Sequence, residues 1–161
     1  MAPAGLLVLR VALAFLLAAH ASHWLFGSFA GAALGPGGLT ATTTYFATAG
    51  VPAAFLFALI AGILQLAGGI LIGAGLFTRI SALVLIAVLM MRIWFDSARW
   101  GFFLNWALDP TRGHGSEHAF MLMAVLTCLA LTGPGEWSID GLRAQTDLSR
   151  AAGRARIRDH N

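Results

Sequence analysis

Along the chain, apolar positions gather into long, nearly unbroken runs separated by short polar or glycine-rich breaks, unlike the half-buried alternation of soluble elements. Crossing the hydrocarbon core of a bilayer takes about 20 mostly apolar residues. Four segments approach that standard: 6–26, 52–77, 80–100 and 116–132. The second is the cleanest, with Gln65 its only strongly polar side chain and Pro52 in the first turn, where a missing N–H costs little. The third carries Arg92 and Asp96, and the fourth is short, taking Ser116 and Glu117 as its first turn.

The breaks are equally informative. Residues 28–50 are rich in Gly, Thr and Ala; Gly35-Pro36-Gly37-Gly38 reads as a turn, and the stretch from about Thr40 to Ala49 as a short interfacial helix ended by Gly50. A second loop, 101–115, holds Trp106, Asp109-Pro110 and His114. The expected fold class is therefore an all-α membrane protein: a four-transmembrane-helix bundle with a short interfacial helix between spans one and two. Residues 1–140 form the transmembrane domain in this reading, and residues 141–161, polar and Arg-rich, form a basic cytoplasmic tail that is surface-lying or frayed.

Composition strengthens the membrane reading. Of 161 residues, 58% are hydrophobic and 11% charged, more apolar surface than a soluble domain of this size can hide. The net charge of +3 rests on arginine alone, since the chain has no lysine, and half of its 10 arginines follow residue 140. A basic tail on an apolar body suits an anionic lipid surface, and no nucleic-acid motif is present. Cys128 is the single cysteine, which excludes an internal disulfide or a CxxC dithiol.

Ala19-His20-Ala21 mimics a signal-peptide cleavage site. The residues before the run carry no basic side chain, however, Arg10 lies within it, and apolar character continues through Trp24-Leu25-Phe26, so the first run is expected to remain as a span. Arg79 and the tail arginines fall on one side of a four-span topology, with only Arg99 and Arg112 in the loops of the other. The positive-inside rule then places both termini in the cytoplasm of a bacterial inner-membrane, multi-pass protein.

That topology collects scattered polar residues at the outer end. His20 and His23 lie late in span one, Arg92 and Asp96 four apart in the outer half of span three, and His114, Glu117 and His118 at the start of span four. Neighbours at i,i+4 share a helix face, so Arg92 and Asp96 are expected to pair, as a structural ion pair or as part of a working site. Ionisable groups at membrane depth are costly and mark functional candidates, and histidine can carry protons, bind metal or hydrogen-bond a quinone carbonyl. His20, Arg92, Asp96 and Glu117 are the candidate catalytic residues; His23, Gln65 and His118 are the candidate cofactor-binding residues. His114 and His118 have i,i+4 metal spacing but lack the glutamate placement of HExxH, and no metal centre is assigned. Gly62, Gly68, Gly69, Gly73 and Gly75 mark one side of span two, where Gly69-x-x-x-Gly73 lets a neighbouring backbone approach closely.

In order along the chain, Leu9-Arg10-Val11 with His20, the Leu39-to-Gly50 segment before Pro52, and Gln65-Leu-Ala-Gly68-Gly69-Ile-Leu-Ile-Gly73-Ala-Gly75-Leu-Phe-Thr78-Arg79 resemble the DoxX family of small bacterial membrane proteins. Trp100-Gly101-Phe102-Phe103, Glu117 and Leu131-Thr-Gly133-Pro134-Gly135-Glu-Trp-Ser138-Ile139-Asp140 extend the resemblance over roughly residues 5–142. It implies a four-helix membrane fold and a link to membrane redox chemistry, through thiosulfate:quinone oxidoreduction and oxidative-stress complexes. Two positions depart from it: Gln65 stands where relatives often carry glutamate, and Trp24 where a basic residue often follows the histidine.

Two functions are expected. One is a redox-linked subunit binding a quinone between helices at the polar outer end. The other is a non-catalytic accessory or assembly subunit, using the glycine-lined span two and the tail against a membrane or periplasmic protein partner, or against a second copy of itself. The second draws on the lack of a dithiol, a CxxCH haem site or a nucleotide loop. Four spans without a visible repeat argue against a monomeric transporter.

Overall fold

The computed structural model describes residues 2–29, 37–109 and 111–158. The described residues form α1 (Ala2–Phe26), α2 (Leu39–Thr48), α3 (Ala54–Ala74), α4 (Thr78–Phe95), a 3-10 turn at Ser97–Trp100, α5 (Glu117–Thr132) and α6 (Ile139–Arg158), with no strand among them. Helices α1, α3 and α4 are long and apolar enough to cross a membrane, and α5 is a shorter apolar helix. The chain is a helical membrane bundle, and its apolar helices contact the bilayer.

Helix ends differ from the sequence expectation where backbone geometry intervenes. The second span stops at Ala74 rather than at residue 77 because Gly75 turns left-handed (φ 69). Its N–H bonds the Ile72 carbonyl while that of Leu76 bonds Leu71, closing the helix in a Schellman motif. The third span starts at Thr78 and leaves α-helical geometry after Phe95, the remainder to Trp100 being the 3-10 turn.

The glycines of α3 explain how the bundle closes. A Cβ on Gly73 would lie 2.9 Å from Ala14 Cβ, one on Gly69 3.1 Å from Leu17 Cβ, and one on Gly62 2.6 Å from Leu25 Cδ2, so this face is filled by α1 of the same chain. Gly68 points instead to Leu85 of α4. The core then runs through Leu13 and Leu17 of α1, Ile72 of α3, Leu85 and Leu89 of α4, and Leu122, Leu126 and Leu129 of α5. A second cluster of Phe46, Val51 and Ala58, with Trp24, Phe57 and Phe95 against it, seats α2 on the bundle. Polarity is inverted: Phe15, Ile60, Ile70, Leu83, Met90 and Trp94 are exposed, whereas Arg10, Gln65, Thr78 and Asp96 are buried.

Contacts sort the connections into two ends. At the loop end, Tyr45 of α2 meets Asp96 after α4. At the opposite end, Arg10 of α1 donates from Nη1 to the Pro134 carbonyl and from Nη2 to that of Trp137 (2.8 Å). There too the Asp140 amide bonds the Gly75 carbonyl (3.0 Å), and its Oδ2 accepts from the Thr78 amide (3.4 Å). Residues from both chain termini thus share one end, and α6 departs from it. Arg10 is 1% exposed, and a buried guanidinium requires such partners.

Candidate functional site

The loop end encloses a cavity of about 500 Å³ lined by His20 of α1, Tyr45 of α2, Arg92 and Asp96 of α4, and His114 and His118 at the start of α5. Four helices converge on it because α1 and α4 end at this level, α5 begins here, and the Phe46 cluster holds α2 across the opening. The rings of His20 and His118 face each other with centroids 5.9 Å apart and planes tilted by 43°. The Arg92 guanidinium lies 5.2 Å from the Trp24 ring centroid, so the indole stands in as a cation partner.

Arg92 and Asp96 do not form the expected pair. The i,i+4 rule holds only inside a helix, and Asp96 is the residue at which α4 ends (φ −118, ψ −66). Its carboxylate instead accepts a 2.5 Å hydrogen bond from the Tyr45 hydroxyl and lies 3.7 Å from Arg99 Nη2. Asp96 is 4% exposed. The Tyr45 hydroxyl is pushed up to about 12, first by burial and then by its hydrogen bond to Asp96 and the charge of that carboxylate. Arg92 therefore reaches the cavity without a carboxylate partner of its own among the described residues.

The remaining candidates lie elsewhere. His23 Nδ1 is 2.9 Å from the Ser28 carbonyl oxygen, and the His23 carbonyl accepts from the amides of Gly27 (3.0 Å) and Gly38 (2.8 Å). Its ring fills the space a Cβ on Gly37 would need, so His23 ties the end of α1 to the residues just before α2 and borders a smaller cavity of about 130 Å³ beside His20. Glu117 turns away from the large cavity: its Oε2 accepts from the Leu104 amide (3.1 Å). Gln65 is 5% exposed in α3 and outside the cavity lining. Of the candidates, His20, Arg92, Asp96 and His118 come together, and Glu117, His23 and Gln65 do not join them. Among the described residues, no three His, Cys, Asp or Glu side chains group as metal ligands.

Tyr45 is the residue that sequence reasoning passed over. It is the chain's one tyrosine, and its place on the Thr-rich interfacial helix, at the end of the bundle where Asp96 lies, was its available signal. Arg10 was read as evidence against a signal peptide and as a landmark of the resemblance, although an arginine inside an apolar run also demands partners at depth.

No curated protein and no solved structure matches the chain significantly. The DoxX family model matches residues 5–97, more than half of the chain, taking in α1 to α4 with His20, Gln65, Arg92 and Asp96. The C-terminal landmarks of the resemblance, from Trp100 onward, lie outside that match. A bundle whose apolar faces point outward and whose buried polar groups gather at its loop end, matched over its first four helices, identifies the chain as a member of the DoxX family.

Proposed function

We propose that the chain is a redox-linked membrane subunit that binds a quinone in the loop-end cavity. The observation that carries this reading is the juxtaposition of the Arg92 guanidinium with the facing imidazoles of His20 and His118 in a cavity of about 500 Å³. That volume is in the range of small-molecule sites, and the donor set fits a group with two carbonyl oxygens. A bound quinone supplies two-electron carrier chemistry. Arg92 and the imidazoles orient it and polarise its carbonyls, and His20 and His118 exchange protons with it. Asp96, fixed by Tyr45 and Arg99, supplies negative charge at the wall.

The arginine distribution supports an orientation. Arg79, Arg143 and Arg150 belong to the end shared by the termini, which the positive-inside rule assigns to the cytoplasm of a bacterial inner membrane. The cavity then opens toward the outer leaflet, and 141–161 is a basic cytoplasmic appendage of a 1–140 membrane domain.

Purification in mild detergent, followed by lipid extraction and quinone titration, tests the reading. His20→Ala and Arg92→Gln should each weaken quinone affinity by about tenfold, the loss of one charge-assisted or strong hydrogen bond, while Arg79→Gln at the far end leaves it unchanged. Affinity unaltered in both cavity variants would remove the quinone site. On the accessory-subunit alternative the tail remains as a contact surface, while the α3 glycine face is occupied by α1 of the same chain.

A further inference from the structure

Helix α5 is too short for its task. Its 16 residues rise about 24 Å at 1.5 Å each, about 6 Å less than a typical hydrocarbon core of about 30 Å. The chain before it carries an apolar surface that none of the described residues covers. Phe103, Trp106 and Leu108 are 71%, 77% and 78% exposed. This surface continues the outward face of α5: Phe120, exposed on that helix, meets Phe102 at 6.0 Å between centroids, and Phe102 meets Phe103 at 5.3 Å.

Much of the backbone of the same segment is paired within the protein, as an apolar setting favours. The Gly101, Phe102 and Phe103 carbonyls accept from the amides of Ser116 (3.1 Å), Glu117 (2.8 Å) and Gly115 (3.2 Å), which satisfies donors that the start of α5 would otherwise leave open. Glu117 Oε2 returns the contact by accepting from the Leu104 amide. Only glycine fits at 115, because a Cβ there would lie 2.5 to 2.7 Å from those three carbonyl oxygens. Further along, the Asn105 side chain bonds the carbonyls of Asp109 and Arg112 (both 2.8 Å) and the Asp109 amide (3.1 Å). This frame holds Leu108 at φ 52, a conformation that L side chains rarely adopt, with its side chain outward.

We propose that residues 101–108 form a lipid-inserted collar that makes up the missing thickness of α5, with Phe103, Trp106 and Leu108 embedded below the headgroups of the bilayer leaflet at the loop end. The occupant of this surface is lipid because the apolar stripe is continuous with the lipid-facing side of a transmembrane helix. Trp106 is of the type that anchors at membrane interfaces. The polar groups of the loop, Thr111 and Arg112, follow outside the stripe and mark the water side.

Site-directed spin labelling of the full chain in phosphatidylcholine–phosphatidylglycerol vesicles tests it. In a Cys128→Ser background, nitroxides are attached at Phe103→Cys, Trp106→Cys, Thr111→Cys and Met90→Cys, the last on the exposed flank of α4. Collision with oxygen, which concentrates in lipid, is compared with collision with a water-soluble nickel chelate. The oxygen-to-nickel ratio at 103 and 106 should exceed that at 111 by about threefold or more and approach that at 90, as for side chains below the headgroups. A ratio at 103 and 106 equal to that at 111 would overturn the proposal and leave the patch as a water-facing surface. Should the labelled variants fold poorly, wild type and Trp106→Phe are compared in vesicles of brominated lipid: Trp106→Phe should lower the lipid-quenched fluorescence, and an unchanged quenched component would refute insertion.

Discussion

The Tyr45 hydroxyl donates a 2.5 Å hydrogen bond to the Asp96 carboxylate, joining the interfacial helix α2 to the end of α4 across 51 positions of sequence. Because this is the chain's one tyrosine, its titration can be followed without ambiguity by phenolate absorbance. The hydroxyl should ionise near pH 12 rather than near the ordinary value of about 10. The pKa is raised on folding, so the stabilisation is complete below about pH 10 and is lost as pH climbs toward about 12. Tyr45→Phe should lower stability in detergent by about 1–3 kcal/mol, since buried Asp96 loses its neutral donor, and should abolish that alkaline dependence. A phenol titrating at its ordinary value would contradict the bond.

Gly73 tests how tightly α1 and α3 meet. A methyl group there would lie 2.9 Å from Ala14 Cβ, and neither atom belongs to a flexible side chain that could move aside. Gly73→Ala should cost about 1–3 kcal/mol by overpacking. Pairing it with Ala14→Gly should recover a large part of the loss, a coupling that thermal unfolding of the four proteins in a double-mutant cycle will detect. Strict additivity would mean the helices can separate at no cost.

Arg10 fastens the C-terminal turn to α1 through the Pro134 and Trp137 carbonyls. Arg10→Met should destabilise the protein by about 1–3 kcal/mol, as two buried acceptors lose charged donors. It should also speed tryptic cleavage at Arg143 and Arg150, because α6 is then held only by the Asp140 contacts to Gly75 and Thr78. Arg10→Lys should not rescue, since a single ammonium cannot reproduce the forked geometry. Cleavage rates unchanged in both variants would show the contact to be dispensable.

Glu117 holds the 101–104 segment through the Leu104 amide. Glu117→Ala should raise hydrogen exchange at Leu104 and neighbouring amides by about tenfold, matching the loss of one charge-assisted bond of about 1–2 kcal/mol. Glu117→Gln, which retains an acceptor, should show a smaller increase. Equal protection in wild type and Glu117→Ala would show that the loop is held without it.

Membership of the bundle was legible because partitioning into lipid sums over local sequence. Twenty apolar residues in a row have few alternatives, and the glycine spacing at Gly69 and Gly73 announced a close helix contact without saying which helix would supply it. The convergence of His20, Arg92, Asp96 and His118 also followed from sequence, since an even number of crossings returns alternate loops to the same end. The pairing of Arg92 with Asp96 failed for a local reason: the helix unwinds at Asp96, and no periodicity reports where a helix will stop when the stop is set by the turn that follows.

What the chain's own order of apolar and polar residues determined is the number of membrane helices, their approximate limits and the end at which their ionisable groups collect. Only the tertiary structure decided which polar atoms meet. It set Tyr45 on Asp96, Trp24 under Arg92, Arg10 on the carbonyls of residues 134 and 137, and Glu117 on the Leu104 amide instead of in the cavity. The reason is one of range: burial of apolar surface is set residue by residue, whereas a hydrogen bond depends on distance and angle to within a fraction of an ångström. Here those depend on how α2 and the 101–115 loop dock, far along the chain from the groups they complete.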